Sequence, residues 1–196
     1  MRVLLINLDR HTERRDWMNE HLAERRIAYE RVDAVDAGSI SSTLMETVDK
    51  SCVGESKFTS GEVACNLSHK KCWEIIAQGE DDYGCVLEDD LQLSEDAASF
   101  LSSSEWIPAD ADIIKIETFA EPVFCQLWGS IPVHDHRLRR LIGHHLGSAG
   151  YILSKKAARR LLELSGNCYD SLSFILFSKR YDSLARFRVL LLDPAI

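Results

Sequence analysis

No cysteine in this chain forms a C-x-x-C pair, and none stands with histidine at zinc-finger spacing. Cys52, Cys65, Cys72, Cys85, Cys125 and Cys168 are scattered, several in apolar surroundings. That argues against a zinc module and for reduced, mostly buried thiols in a cytosolic protein. Long apolar runs are also missing. Val3 to Ile6 is too short for a signal-peptide core, and no later stretch reaches the ~18 apolar residues of a membrane span. A soluble cytoplasmic protein is expected. Basic residues are in deficit, 23 against 31 acidic, for a net charge of −8. This speaks against the whole chain binding nucleic acid or an anionic membrane. There is no internal repeat and no low-complexity linker. A length of 196 residues then points to a single domain, 1–196.

The elements that are present alternate in type. Residues 3–6 (VLLI) read as a short buried strand. Thr12 is a plausible N-cap for a helix running to about Arg25, with Trp17, Met18 and Leu22 on its apolar face. Residues 27–36 read as a second strand. Together these make a βαβ unit, which builds parallel sheets with ligand sites past the carboxyl ends of the strands. Residues 38–57 are rich in Gly, Ser and Thr and read as a loop or flap. Residues 59–78 form the clearest helix, with Thr59 or Ser60 and Glu62 able to cap it and Gly79 to stop it. Within YGCVLEDDLQL (83–93) a third strand, VL at 86–87, ends in the carboxylates, and a helical start follows at 94–106. The segment 111–118 reads as a strand, 119–144 as a hairpin or long loop, and 151–153 as a strand. A helix capped by Ser154 and a final strand over 186–196 follow. The expected fold is α/β with a mostly parallel central sheet and helices on both faces, with room for an antiparallel edge.

One stretch resists a purely structural reading. In "CVLEDDLQL" (85–93) three carboxylates, Glu88, Asp89 and Asp90, interrupt an apolar run. Burying unpaired charge is costly, so such acids need partners or solvent. They fall at the carboxyl end of a predicted central strand. Alternation would put Glu88 and Asp90 on one face and Asp89 on the other. Two carboxylates on one side can hold a hard divalent cation, with waters and a phosphate oxygen completing its shell. Acids paired with nearby Lys or Arg on a solvated strand end are the alternative.

Four further stretches join this one in order. "INLDRHTERRDWM" carries Asn7, Leu8, Arg10 and Arg14. "ERVDAVDAG" covers 30–38. "TSGEVACNLSHKKCWEIIAQ" carries Gly61, Glu62, Cys65, Leu67, Ser68 and His69. "GSAGYILSKKAARRLL" carries Gly147, Gly150, Tyr151, Ser154 and Ala157. With "CVLEDDLQLS" they resemble the motif series of glycosyltransferase family 25, the lipooligosaccharide-biosynthesis transferases, over about residues 5–162. The resemblance implies a GT-A-like, Rossmann-like nucleotide-sugar domain. It further implies inverting, metal-assisted transfer of a sugar, mostly galactose, from a UDP-sugar to a lipooligosaccharide-type acceptor. The cofactor would be Mn²⁺ or Mg²⁺, and the acceptor an oligosaccharide or a lipid-linked glycan. Family members usually run on for tens of residues past the point where this chain stops, so its C-terminus is expected to be short.

The same resemblance suggests roles. Asn7, Leu8 and Asp9 would lie over the nucleoside, although turn chemistry explains them equally well. Arg14 would reach the diphosphate, or serve as a surface arginine. Asp36, or Asp33, would bond the ribose. Ser60, Gly61 and Glu62 would present a helix N-terminus to an anion, with Glu62 alternatively a simple cap. His69 suits either a site residue or a structural one. Asp90 is the leading metal ligand, with Glu88 and Asp89 assisting. An inverting displacement needs a general base; Asp170 is the candidate, and Glu117 its rival. Lys115 could contact phosphate or pair with the acids. Arg137, Arg139 and Arg140, with His134, His136, His144 and His145, could make peripheral contact with the inner membrane.

Overall fold

The computed structural model describes residues 1–51, 58–165, 171–178 and 183–196. Among these residues eight strands form one sheet: β1 (Arg2–Asn7), β2 (Glu30–Asp33), β3 (Tyr83–Glu88), β4 (Ile113–Lys115), β5 (Ile131–Val133), β6 (His136–Arg140), β7 (Gly150–Ser154) and β8 (Val189–Asp193). Their order is β2-β1-β3-β7-β4-β8-β6-β5. Only β1/β2, β1/β3 and β4/β8 pair parallel; the other four ladders are antiparallel. The sheet is therefore mixed, not mostly parallel. The βαβ unit predicted from the N-terminal pattern is present, but β7 enters between β3 and β4 and runs against both.

Both faces of the sheet are buried, and alternation along the strands assigns the core residues. Val3 and Leu5 of β1, Cys85 and Leu87 of β3, and Ile152 of β7 face one core, beneath α1 (Thr12–Glu24) and α4 (Ala97–Leu101). Leu4, Ile6, Val86, Tyr151 and Leu153 face the other. There they meet α3 (Ser60–Gln78), α5 (Lys155–Leu164), α6 (Leu172–Phe177) and α7 (Ser183–Arg186). Helices thus cover both faces, as the α/β pattern requires.

Several local expectations change. The segment expected as a loop over 38–57 holds a 3₁₀ turn (Ala37–Ser39) and a helix, α2 (Ser42–Ser51). Val48 of α2 is fully buried, so four Ser and Thr residues had masked an apolar face. Thr12 is the first helical residue of α1 rather than its cap, and His11 precedes it with no side-chain cap bond. Trp17 is 44% exposed, stacked on His21, while Met18 and Leu22 carry the burial. The second strand shrinks to Glu30–Asp33, and the 94–106 helix to Ala97–Leu101. The 119–144 region does form a hairpin, β5–β6.

Cys65, Cys72, Cys85 and Cys125 are free thiols, whereas Cys52 and Cys168 lie outside the described residues. No described helix is long and apolar enough to cross a membrane. The basic cluster does not make one open face. His136 and His145 are buried, and Arg139 donates to Asp193 at 2.7 Å.

Candidate functional site

The carboxyl ends of β1 and β3 open onto a cavity of about 210 Å³. Asn7 ends β1 with Leu8 just past it, and Glu88 ends β3 with Asp89 and Asp90 just past it. Arg14 reaches in from α1, and Gly61, Cys65, Ser68 and His69 line the wall from α3. The wall is placed by α3's start. Thr59 Oγ1 accepts from the Glu62 N–H at 3.2 Å, and the Glu62 carboxylate accepts from the Thr59 N–H at 2.8 Å. This reciprocal cap satisfies two otherwise orphaned donors. Ser68 then ties the helix to the segment just after β2. Its Oγ accepts from the Val35 N–H at 2.8 Å and donates to the Ala64 carbonyl at 2.7 Å.

The three acids do not alternate as a strand would require, because β3 stops at Glu88 and the chain turns at Asp89 and Asp90. All three line the cavity. Asp89 is buried and committed on both oxygens. Asn7 Nδ2 donates to one at 2.6 Å and Arg14 to the other at 3.1 Å. Asn7 is itself fixed, since its Oδ1 accepts from Arg31 at 3.1 Å. Asp90 is 53% exposed at its side chain and takes a weaker bond from Arg14 at 3.3 Å. Partial burial, with the charges of Glu88 and Asp89, raises the Asp90 carboxyl above its ordinary value despite Arg14. Glu88 goes the other way. Burial pushes it up, but the hydrogen bond and charge of His69, with Ser148 and Lys115, outweigh that and hold it below its ordinary value.

Behind Glu88 stands a buried group. His69 Nε2 lies 3.1 Å from Glu88 Oε1, His69 Nδ1 lies 2.8 Å from the Tyr151 hydroxyl, and Trp73 Nε1 lies 2.7 Å from the same hydroxyl. Tyr151 and Trp73 were not among the predicted site residues. Their signal was a phenol and an indole in otherwise apolar, buried positions, where each polar atom needs a partner.

The oxygen donors of Glu88 and Asp90 suit a hard divalent ion. His69 and Ser148 both address Glu88 Oε1, and the raised Asp90 carboxyl is one that a cation would stabilise in its charged form. The residues therefore fit such an ion, in competition with Arg14 for Asp90. Cys65 Sγ, with His69 and Glu88, also falls within 4.8 Å. Burial, aided by Glu88, Asp90 and Glu62, pushes that thiol up to about 12, so it stays protonated at neutral pH.

The remaining predicted residues scatter. Asp9 is 87% exposed and pairs with Arg31 at 3.2 Å. Asp36 accepts from the Gly38 N–H at 2.8 Å and pairs with Arg10 at the cavity rim. Ser60 and Glu62 are outside the cavity lining; Glu62 is held by its cap. Glu117 is also outside that lining. It is buried, accepting from Lys115 Nζ at 2.7 Å and from the Ala149 N–H at 2.8 Å. Lys115 therefore pairs with Glu117 rather than reaching the cavity. Burial lowers its ammonium from the ordinary lysine value, against the pull of Glu117. Asp170 lies outside the described residues.

Known families sharpen what this cavity belongs to. The sequence model described as "Glycosyltransferase family 25 (LPS biosynthesis protein)" matches residues 1–175. The chain belongs to glycosyltransferase family 25. Among curated relatives, the chain is 26% identical over 183 residues to the lipooligosaccharide biosynthesis protein lic2B of Haemophilus influenzae, covering 89% of this chain and 68% of that protein. It is 30% identical over 165 residues to lex-1 of the same species, a lipooligosaccharide biosynthesis protein, covering 79% and 53%. It is 28% identical over 164 residues to the lacto-N-neotetraose biosynthesis glycosyltransferase LgtB of Neisseria gonorrhoeae, covering 81% and 59%. The chain thus spans roughly half to two thirds of the length of these relatives.

Proposed function

We propose that this family 25 chain is a glycosyltransferase of the GT-A type. It would move a sugar from a UDP-sugar, galactose by the habit of the family, to a lipooligosaccharide-type acceptor with inversion of configuration. The observation that carries this reading is the meeting of Arg14, Glu88, Asp89 and Asp90 in one cavity at the carboxyl ends of two parallel strands, where open α/β sheets place ligands. Asn7 and Leu8 would line the nucleoside. Arg14, half exposed, would turn a free donor to the diphosphate while its Nη1 stays on Asp89. Glu88 and Asp90 would hold Mn²⁺ or Mg²⁺, which when bound would neutralise charge building on the departing diphosphate. Asp170 is the preferred general base, since Glu117 already accepts from Lys115 and Ala149. A lipid-linked acceptor would bring the protein to the cytoplasmic surface of the inner membrane.

A thermal-shift screen against UDP-, GDP- and ADP-sugars, with and without Mn²⁺, tests the donor class. Stabilisation by UDP-sugars alone, stronger with Mn²⁺, is expected, followed by UDP release with acceptor present. Asp90→Asn should cut turnover at least about 100-fold, beyond the ~10–100-fold typical of outer contacts to a metal. Equal stabilisation by all three nucleotides would overturn the uridine reading. A second reading has its own support: Arg14 already bridges Asp89 and Asp90 with positive charge. On that reading the chain is a nucleotide-sugar-binding module without turnover, and UDP would stabilise it with or without Mn²⁺.

A further inference from the structure

The buried Trp73–Tyr151–His69–Glu88 series has a direction that its chemistry dictates. Trp73 Nε1–H can only donate, so at 2.7 Å it gives its proton to the Tyr151 oxygen. Tyr151 is fully buried, and its own hydroxyl proton needs an acceptor. The other atom bonded to that oxygen is His69 Nδ1, at 2.8 Å. If His69 Nδ1 carried a proton, two donors would point at the phenol and its own proton would be stranded. The arrangement that satisfies every atom runs one way: Trp73 to Tyr151, Tyr151 to His69 Nδ1, and His69 Nε2–H to Glu88 Oε1 at 3.1 Å.

We propose that Trp73 and Tyr151 are positioning residues that fix His69 as the Nε2–H tautomer, so that it donates to Glu88 and presents the second carboxylate oxygen to the cavity. The consequence for ion binding rests on the reading of the cavity given above; the direction of the bonds does not. The bonds span the fold, for His69 and Trp73 lie on α3, Tyr151 on β7 and Glu88 at the end of β3. They lock the wall helix to the strand end that bears the acids. Such outer contacts set the orientation and basicity of a ligating group.

Two measurements test it. In metal-free protein with ¹⁵N-labelled histidine, at about pH 8 and so above the ordinary histidine value, long-range ¹H–¹⁵N spectra report which ring nitrogen of His69 is protonated. A proton on Nε2 alone is expected; a proton on Nδ1, with or without one on Nε2, overturns the proposal. The second is Mn²⁺ binding, read by the electron paramagnetic resonance of the free ion. Tyr151→Phe keeps the ring and removes the hydroxyl. Folded Tyr151→Phe protein should bind Mn²⁺ about tenfold more weakly than the unaltered chain, the low end for a lost outer contact. Unchanged affinity in the folded variant overturns the positioning role. If the unaltered protein itself binds no Mn²⁺, the metal reading of the cavity falls, and the ring spectra alone decide the direction of the bonds.

Discussion

Acids follow two strands of this sheet, and the outcomes are opposite. At the end of β3, Glu88, Asp89 and Asp90 open onto a cavity, and the carboxyls of Glu88 and Asp90 are shifted from their ordinary values in opposite directions. After β4, Glu117 is closed in and neutralised by Lys115, itself fully buried. The difference comes from what covers each strand end. β7 runs antiparallel between them, so the residues just before it, Gly147 to Ala149, touch the carboxyl ends of both strands, and the Ala149 carbonyl accepts from the Glu88 N–H at 2.8 Å. They bring the Gly147 carbonyl to Lys115 at 2.9 Å and the Ala149 N–H to Glu117 at 2.8 Å. Gly147 takes a left-handed φ of +84° there, and any side chain would run into the Phe119 ring. On the other side of β3 lies β1, flanked by parallel neighbours, and the cavity opens over the β1 side of the β3 end. What separates the two ends is therefore the partner each acid keeps: Asp90 faces the cavity half exposed, whereas the Glu117 carboxylate is taken up by Lys115 and the Ala149 N–H.

The contrast can be broken most severely at the closed end. Glu117→Ala would leave the Lys115 ammonium buried without its counter-charge, and urea denaturation should show a loss of about 3–5 kcal/mol. Replacing Lys115 by Met as well should recover much of that loss, because the charge itself is what burial penalises. A loss under about 1 kcal/mol would mean that the closed end is hydrated and that the two ends are more alike than described. At the open end the wall depends on a cap rather than a charge pair. Thr59→Ala should cost only about 1 kcal/mol by the same measurement, with a matching rise in amide exchange over the first turn of α3.

The smallest expected effect is one of pH. His21 of α1 accepts the Leu93 N–H at 2.9 Å, so α1 is tied to the segment after β3 through a neutral ring. Burial, with the charge of Arg25, lowers His21 from its ordinary value. The unfolded chain therefore takes up this proton before the folded one does. Stability from this group is complete above the ordinary histidine value of about 6.5 and declines as pH falls below it. The decline should be absent in His21→Gln, which keeps an acceptor but does not titrate. Thermal melts of both proteins across that range check it; parallel curves would remove His21 from the account.

Much of this contrast was hidden in the linear sequence. The runs VLLI and YGCVLE, the Thr59–Glu62 cap and the Ser154 cap announced their own strands and helices, because each signal is local. The acids after β3 were legible for the same reason. Strand direction was not, since it depends on which connections return to the sheet, and so β7 was not expected to oppose β3. The fate of Glu117 hung on a glycine turn some thirty residues later. The Tyr151–His69 contact joins residues 82 positions apart and leaves no periodic trace. Helix α2 was missed because Ser and Thr outnumber the apolar residues on its surface, although Val48 alone anchors its buried side among the described residues.

The two outermost strands carry a final consequence, for behaviour at high concentration. A sheet border offers free backbone groups to any other chain, which is how unwanted fibrous association starts. Here β2, at one border, reads Glu-Arg-Val-Asp, so like copies would confront one another with rows of charge. At the other border β5 is three residues long with Pro132 at its centre, which has no N–H to give. One side is guarded by repulsion and the other by a missing donor, so salt should weaken only the first guard, leaving β2 as the border at which concentrated protein first associates.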